Sequence, residues 1–183
     1  GEDYEVFQGF LKDYLTAPQD PESIKKTFQV HGRTFRGIPH QPKNHFNKVE
    51  LIAYSLIPDH FHLLLYQKPR GSLESFIRSL CTRYSIYFNK KYQRTGVLFE
   101  GPYKSVQIKN GPGLPHLSRF FHHTGGYSSY AEYLGQRNTP WVKPDVVLAT
   151  FNQDKTKYKK FVEQYKPDQL LERILLETES EHL

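Results

Sequence analysis

Two histidines one residue apart are the strongest candidates for chemistry in this sequence, because His60 and His62 flank Phe61. Side chains alternate along a β-strand, so both imidazoles should project from one face, while Phe61, Leu63 and Leu65 face the core. Two such imidazoles can share one divalent metal ion, which would polarise a phosphate oxygen; Mg²⁺ or Mn²⁺ fits this use. Two surface histidines without a metal are the ordinary alternative for an isolated His-x-His pattern.

The sequence around the histidines predicts a β-hairpin followed by a long helix. Residues 49–57 are rich in β-forming side chains, Pro58–Asp59 favours a turn, and residues 60–66 alternate. Ser72 can cap the helix, which should end near Lys91. The apolar stripe of this helix, at helical spacing, comprises Leu73, Phe76, Ile77, Leu80, Tyr84, Tyr87 and Phe88.

The rest of the chain predicts mainly helices. The expected helices are 4–15 with Asp3 as N-cap, 114–123 stopped by Gly125 and Gly126, and two more capped by Asp154 and Asp168. Residues 27–36 indicate a hairpin or an irregular excursion, and residues 103–108 a short strand. We expect residues 1–150 to form the main domain and residues 151–183 a C-terminal helical extension.

Composition and charge exclude several classes of protein and favour others. No apolar run approaches the length of a membrane span, and the single cysteine, Cys81, excludes a disulfide framework or a cysteine zinc cluster. Nothing resembles a secretion signal, so we expect a cytoplasmic protein. Residues 67–110 carry nine Lys/Arg against two acidic residues and are interleaved with aromatics, a composition that suits single-stranded nucleic acid. A solvated helix face over core aromatics is the alternative.

Three ordered motifs resemble the HUH single-tyrosine transposases, and most closely the branch that includes the REP-associated tyrosine transposases. The motifs are IPDHFHLLL at residues 57–65, the long basic helix, and RTGVLFEGPYKS at residues 94–105. In that family a PNHxHLLL strand supplies the metal histidines, and an RTGxLFxGxYKS segment lies on the DNA. The resemblance is dense over residues 48–123, and three motifs in order are more specific than any one of them.

The resemblance implies an α+β fold with a ferredoxin-like antiparallel sheet, helices packed on one face and additional C-terminal helices. It implies a metal-dependent transposase of a mobile element, acting in DNA transposition and recombination in the cytoplasm, at the prokaryotic nucleoid. Such an enzyme nicks single-stranded or hairpin DNA with a tyrosine, through a 5′-phosphotyrosine link that allows strand transfer. It would act as a monomer or a homodimer, since the family offers both states.

The sequence departs from the family at the nucleophile. The family pattern Arg-Tyr-Ile/Val-His-x-Asn-Pro corresponds here to RFFHHT at residues 119–124, so Phe120 occupies the tyrosine position. Phenylalanine has no hydroxyl, and covalent catalysis from that position is impossible. We favour an engineered, inactivating substitution over natural loss, and the sequence leaves both open. Tyr127 and Tyr130 are weaker alternative nucleophiles.

Two further departures concern the third metal ligand and the beginning of the fold. The family asparagine corresponds to Thr124, so His122, His123 or Thr124 could complete the metal site; ordinary packing is the alternative for both histidines. The family also opens with a strand before the first helix, whereas this sequence starts immediately before that helix. Either that strand is missing or residues 27–36 replace it. If no strand replaces it, one edge of the sheet is left unpaired.

The expected DNA contacts are Arg94, Gly96 and Lys104, followed by Arg78, Arg83, Lys90, Lys91 and Arg119, and each cation could equally be an ordinary surface charge. A different function class also fits the sequence: a non-cleaving DNA-hairpin or RNA-binding module on the same fold. Loss of the hydroxyl at Phe120 favours that module, and the retained pair His60 and His62 counts against it. A third hypothesis is a metal-dependent phosphodiesterase that uses activated water.

Overall fold

The computed structural model describes residues 1–108, 111, 113–123 and 126–166. In chain order its elements are α1 (Glu2–Leu15), β1 (Lys26–Val30), β2 (Arg33–Gly37), β3 (Val49–Leu56), β4 (Phe61–Gln67), α2 (Ser72–Lys91), α3 (Gly113–His123), β5 (Tyr127–Ser128), α4 (Tyr130–Tyr133), α5 (Asp145–Leu148), a 3₁₀ turn at Ala149–Phe151 and α6 (Lys155–Glu163). The strands form two antiparallel sheets, β1-β2 and β4-β3-β5. This arrangement confirms the α+β class. Within the described residues, no helix is long and apolar enough to cross a membrane.

The β3–β4 hairpin lies at the centre of the fold and has the predicted alternation. Phe61 pairs with Leu56, and His62 pairs with Ser55. Phe61, Leu63 and Leu65 pack against one hydrophobic cluster, whereas Leu64 belongs to the other. Since neighbouring strand residues face opposite sides, His62 lies on the same face as Leu64.

Helices cover both faces of this hairpin. The first core, on the Phe61 face, joins β3 and β4 to α1 and α2, with Leu11, Phe76 and Leu80 fully buried. The second core joins the other face to α3, α5 and α6, and its members include Tyr133 and Tyr158. The expected layer of helices on one face therefore corresponds to α1 and α2, and a second layer lies opposite.

A β-bulge between Leu51 and Ala53 explains why the second core was hard to anticipate. Leu51 packs in the first core, while the consecutive residues Ile52 and Ala53 both pack in the second. A bulge inserts one extra residue and changes the phase of the alternation. The run of apolar residues in β3 is therefore shared between two cores.

Several local predictions are corrected by the structure. Asp3 is not the N-cap of α1, because Gly1 holds that position; the Asp3 carboxylate instead accepts from Lys91 Nζ at 2.7 Å and Tyr92 Oη at 2.6 Å. These bonds, that from Lys91 foremost, lower the pKa of Asp3 to about 2 and join α1 to the end of α2. Gly71 rather than Ser72 is the N-cap of α2, since the Ser72 hydroxyl donates to the Pro69 carbonyl.

Among the shorter segments, some differ from the predictions and others agree with them. Residues 103–108 form no strand; most of them are exposed, and the described chain offers them no partner strand. Residues 27–36 do form a hairpin, but it makes its own sheet and does not join β4-β3-β5. Asp154 caps α6 as predicted, accepting from the backbone N–H groups of Thr156 and Lys157. The helix expected after Asp168 lies outside the described residues.

Candidate metal and DNA site

The two histidines at the start of β4 converge on one point. His60 Nε2 lies 3.1 Å from His62 Nε2, with the ring planes close to perpendicular at 83°. His60 Nδ1 lies 2.7 Å from the Asp59 carboxylate, so Asp59 fixes the ring and leaves Nε2 free to act as a ligand. Asp59 was interpreted only as a turn residue; its position directly before His60 was the signal for this second role.

This pair fits one divalent ion. Nitrogens bound in adjacent octahedral positions at about 2.1 Å from a metal would lie about 3 Å apart, which matches the observed separation. Carboxylate support of a ligating histidine, as from Asp59, is also typical of metal sites. His60 and His62 are therefore the residues that would hold Mg²⁺ or Mn²⁺.

His62 is held between the sheet and α3. Its ring stacks on Phe121 with centroids 5.1 Å apart and contacts the ring of Phe120 at 5.7 Å. Burial, and secondarily the neighbouring His60, lowers the pKa of His62 to about 4. His62 is therefore neutral at neutral pH, which is the state that binds a metal.

Helix α3 brings position 120 to the histidines. Phe121 is buried in the second core with Leu117, one turn earlier on the same helix face. Phe120, the next position around the helix, is half-buried and borders the same core. The residue at position 120 thus lies beside His62, although about sixty residues separate them in sequence.

His122 is engaged in a buried hydrogen-bond network and does not offer a free nitrogen. The Tyr158 hydroxyl donates to Ser118 Oγ at 3.0 Å, so His122 Nδ1 donates to Tyr158 Oη at 2.7 Å. His122 Nε2 then accepts from Ser129 Oγ at 2.8 Å. Burial lowers the pKa of His122 to about 3. The suggestion that His122 completes the metal site is corrected, because both ring nitrogens already have partners.

The other two suggested ligands are not brought to the histidine pair by any described contact. His123 is exposed, and its ring packs on Tyr165 with centroids 4.4 Å apart. Thr124 lies outside the described residues. Among the residues that the structure describes, no three His, Cys, Asp or Glu side chains converge as a metal site.

The suggested DNA-contacting cations fall into two groups. Arg78 pairs with Glu74, Arg83 pairs with Asp13 at 2.7 Å, and Lys91 pairs with Glu2 and Asp3. Arg119 is buried with its guanidinium 4.2 Å from the Phe161 ring centroid. Arg83, Lys91 and Arg119 thereby contact other elements of the fold, whereas Arg78 pairs only within α2 and its side chain stays 74% exposed. Lys90, Arg94, Gly96 and Lys104 are exposed.

The segment 94–99 passes an aromatic cavity that His60 also lines. Asn89 Nδ2 donates to the Gly96 carbonyl at 2.8 Å, and Gly96 has a φ of 89°, a conformation that favours glycine. The cavity has a volume of about 130 Å³. Its aromatic lining consists of Tyr4, Phe7, Phe61, Tyr84, Phe88 and Phe99. The loop after α2 is thereby fixed next to the histidine pair.

We expect the protein to lose stability as the pH falls from about 6.5 towards 4.5. In the unfolded chain His62 and His122 take up protons near pH 6.5, but in the folded protein their pKa values are about 4 and about 3. The unfolded state therefore binds more protons in this window, and each histidine can lower the unfolding free energy by up to about 1.4 kcal/mol per pH unit.

Urea unfolding followed by circular dichroism at several pH values measures this effect. Equal unfolding free energies at about pH 7 and about pH 4.5 would contradict the expectation. The window lies above the ordinary carboxyl pKa of 3.8, near which Asp3 of the unfolded chain takes up its proton, so Asp3 contributes little to the loss.

Comparison with known proteins adds one finding. Residues 29–115, just under half of the chain, match the family model described as "Transposase IS200 like". The match includes both histidines and the segment 94–105, and it ends before Phe120. No curated protein and no solved structure matches the chain. The match supports the transposase family, without distinguishing a branch of it.

Proposed function

We propose that this protein is a relative of the IS200-like transposases that holds single-stranded or hairpin DNA at the histidine pair, in a form that lacks the nucleophile. The observation that carries this proposal is the contact of the Phe120 ring with the ring of His62, at 5.7 Å. A tyrosine at position 120 would place a phenolic oxygen next to a metal-binding pair. More specifically, the proposed relatives are the REP-associated tyrosine transposases.

In the form with tyrosine at position 120, the chemistry is a phosphoryl transfer. The phenolic oxygen attacks the scissile phosphorus, a new phosphorus–oxygen bond forms to the tyrosine, and the bond to the 3′ oxygen breaks. The products are a 5′-phosphotyrosine and a free 3′-hydroxyl, which takes up a proton. A bound divalent ion would neutralise charge on the phosphate. The reverse step, on another 3′-hydroxyl, rejoins the strand.

Residues of this chain would orient the reaction. Asp59 holds the ring of His60, and Phe121 holds the ring of His62 by stacking. Both imidazoles are thus positioned before any ligand arrives, which avoids the cost of ordering them on binding. Arg94 and Lys104, at the ends of the glycine-containing loop, would contact the DNA backbone.

A second function is favoured by the residue present at position 120. Without a hydroxyl, Phe120 cannot form a covalent link, so the chain as given would bind DNA without cutting it. A non-cleaving DNA-hairpin or RNA-binding module is then the alternative. It predicts that restoring tyrosine yields no reaction.

The experiment that separates the two is the Phe120→Tyr substitution. Labelled single-stranded hairpin oligonucleotides are incubated with each protein and Mn²⁺ or Mg²⁺, and the products are separated on a denaturing gel. We expect an SDS-resistant protein–DNA adduct from the Phe120→Tyr protein alone. Phe46→Tyr is the matched control, because it adds the same hydroxyl at an exposed phenylalanine outside both cores. Equal DNA binding without an adduct would contradict the cutting function and support the binding module.

A further inference from the structure

The β1–β2 hairpin stands apart from the rest of the fold. Nine of its ten strand residues are exposed, and none of them belongs to either hydrophobic core. Its turn, His31–Gly32, has φ values of 48° and 74°, typical of the tight type I′ turn that matches the twist of a two-stranded ribbon. A hairpin that the cores do not need is free to serve as a contact surface.

One face of this hairpin is aromatic and basic. Phe28 pairs directly with Phe35, and Val30 pairs with Arg33, so all four side chains share a face. Phe28 is 37% exposed and Phe35 is 52% exposed. Lys26 lies on the same face at the other end of the ribbon. The two rings therefore form an exposed platform with a cation at each end.

The opposite face has a different character. Thr27 pairs with Arg36, and Gln29 pairs with Thr34. This face is entirely polar and is also exposed. The difference between the two faces indicates that the aromatic platform, rather than the hairpin as a whole, is the contact surface.

The charge around the hairpin favours an anionic partner. Residues 23–49 contain Lys25, Lys26, Arg33, Arg36, Lys43 and Lys48 and no Asp or Glu. Their charge of +6 equals the net charge of the whole chain, so the remaining residues sum to zero. Only Lys25 has an ion pair among those described for this segment, with Glu22. A polyanion is complementary to this surface, independently of the basic stretch at residues 67–110.

We propose that the Phe28–Phe35 platform binds unpaired bases of single-stranded DNA, with Lys26 and Arg33 on the flanking phosphates. Aromatic side chains that stack on bases, beside cations that neutralise phosphates, are the general means by which proteins hold single strands. Duplex DNA offers its phosphates but keeps its base faces stacked inside. This contact rests on the proposed function in one respect, that the protein binds single-stranded DNA at all.

The test is fluorescence anisotropy of the full chain, carrying Phe120, with a labelled mixed-sequence single strand. We expect Phe28→Ser and Phe35→Ser each to weaken binding on the order of tenfold. The matched control is Gln29→Ser with Thr34→Ser, which alters a directly paired position on the opposite face of the same hairpin. Equal weakening by this control would overturn the platform, because it would show that only the integrity of the hairpin matters.

Two further measurements separate stacking from charge. On an abasic strand of equal length, which keeps the phosphates and lacks the bases, the Phe35→Ser protein and the parent should bind equally. Arg33→Gln should reduce the slope of log affinity against log salt by about 0.7, the value for one phosphate contact of a single strand. The control is Lys12→Gln, which removes the same charge from an exposed position on α1, away from the hairpin.

The outcomes distinguish this contact from the proposed function. If the parent binds the single strand and the two phenylalanine variants bind it equally well, the platform is overturned while DNA binding stands. If Phe120→Tyr forms no adduct but the platform variants lose affinity, cutting fails and the platform stands. If light scattering shows that the variants change only the oligomeric state, the platform is a self-association surface and the inference is wrong.

Discussion

Replacing His62 by alanine in the Phe120→Tyr protein is expected to reduce the yield of covalent DNA adduct at least about 100-fold. His62 would supply one of two imidazole nitrogens that lie 3.1 Å apart, and a single imidazole holds a divalent ion much more weakly than two. The rate of adduct formation on a labelled single strand, measured across a Mn²⁺ titration, tests this expectation. High Mn²⁺ should restore part of the rate if the loss is one of metal affinity.

The control for this experiment is His40→Ala, since His40 is exposed and lies outside both strands of the central hairpin. Asp59→Asn should give a smaller loss, of about tenfold, because Asp59 contacts His60 rather than the ion. A His62→Ala protein that forms adduct at the parental rate would show that the histidine pair does not take part in the reaction.

The second large effect is expected on stability rather than on chemistry. His122→Phe should lower the free energy of unfolding by about 2–4 kcal/mol, because Ser129 and Tyr158 lose their shared partner inside the second core. Phenylalanine preserves much of the ring packing with Tyr133, whose centroid lies 4.6 Å away. The loss therefore reports mainly on the hydrogen bonds. Urea unfolding at neutral pH measures it.

The neighbouring residue provides the control for this substitution. His123→Phe keeps a ring that can pack on Tyr165 and removes no described hydrogen bond, so we expect a change below about 1 kcal/mol. Equal losses from both variants would mean that the network around His122 contributes little. The same His122→Phe protein should also lose less stability between about pH 6.5 and 4.5 than the parent, since one of the histidines whose pKa is lowered by burial is gone.

Periodicity alone predicted the elements that carry the histidines. The alternation along β4 placed Phe61, Leu63 and Leu65 against the first core, and the helical spacing from Leu73 to Leu80 placed α2 against them. The predicted helices at 114–123 and after Asp154 also correspond closely to α3 and α6. Patterns of this kind are local, and the local backbone follows them.

Contacts between residues far apart in the sequence could not be predicted from local periodicity. Aspartate often caps helices, so the local pattern assigned Asp3 to that role. Its bond with Lys91 joins α1 to the end of α2, and a contact so distant in sequence leaves no local signal. The stripe of cations on α2 indicated a DNA surface, but Arg83 is paired with Asp13 on α1. Residues 27–36 were predicted as a hairpin or an irregular excursion, but their short alternation gave no sign that the hairpin would form a sheet of its own.

The bulge in β3 determines which face of the sheet each following residue of that strand occupies. Upstream of it, Leu51 faces the α1–α2 layer; downstream, Tyr54 and Leu56 return to that layer only because one residue is looped out. Deleting Ile52 would remove the bulge and leave Ser55 paired with His62 on its present face, because Leu51 and Ala53 already pair with the consecutive residues Leu65 and Leu64. Position 52 is therefore the place in β3 where the chain can shorten by one residue without moving the histidines, and a sequence comparison that places a one-residue gap between residues 51 and 53 is compatible with this arrangement.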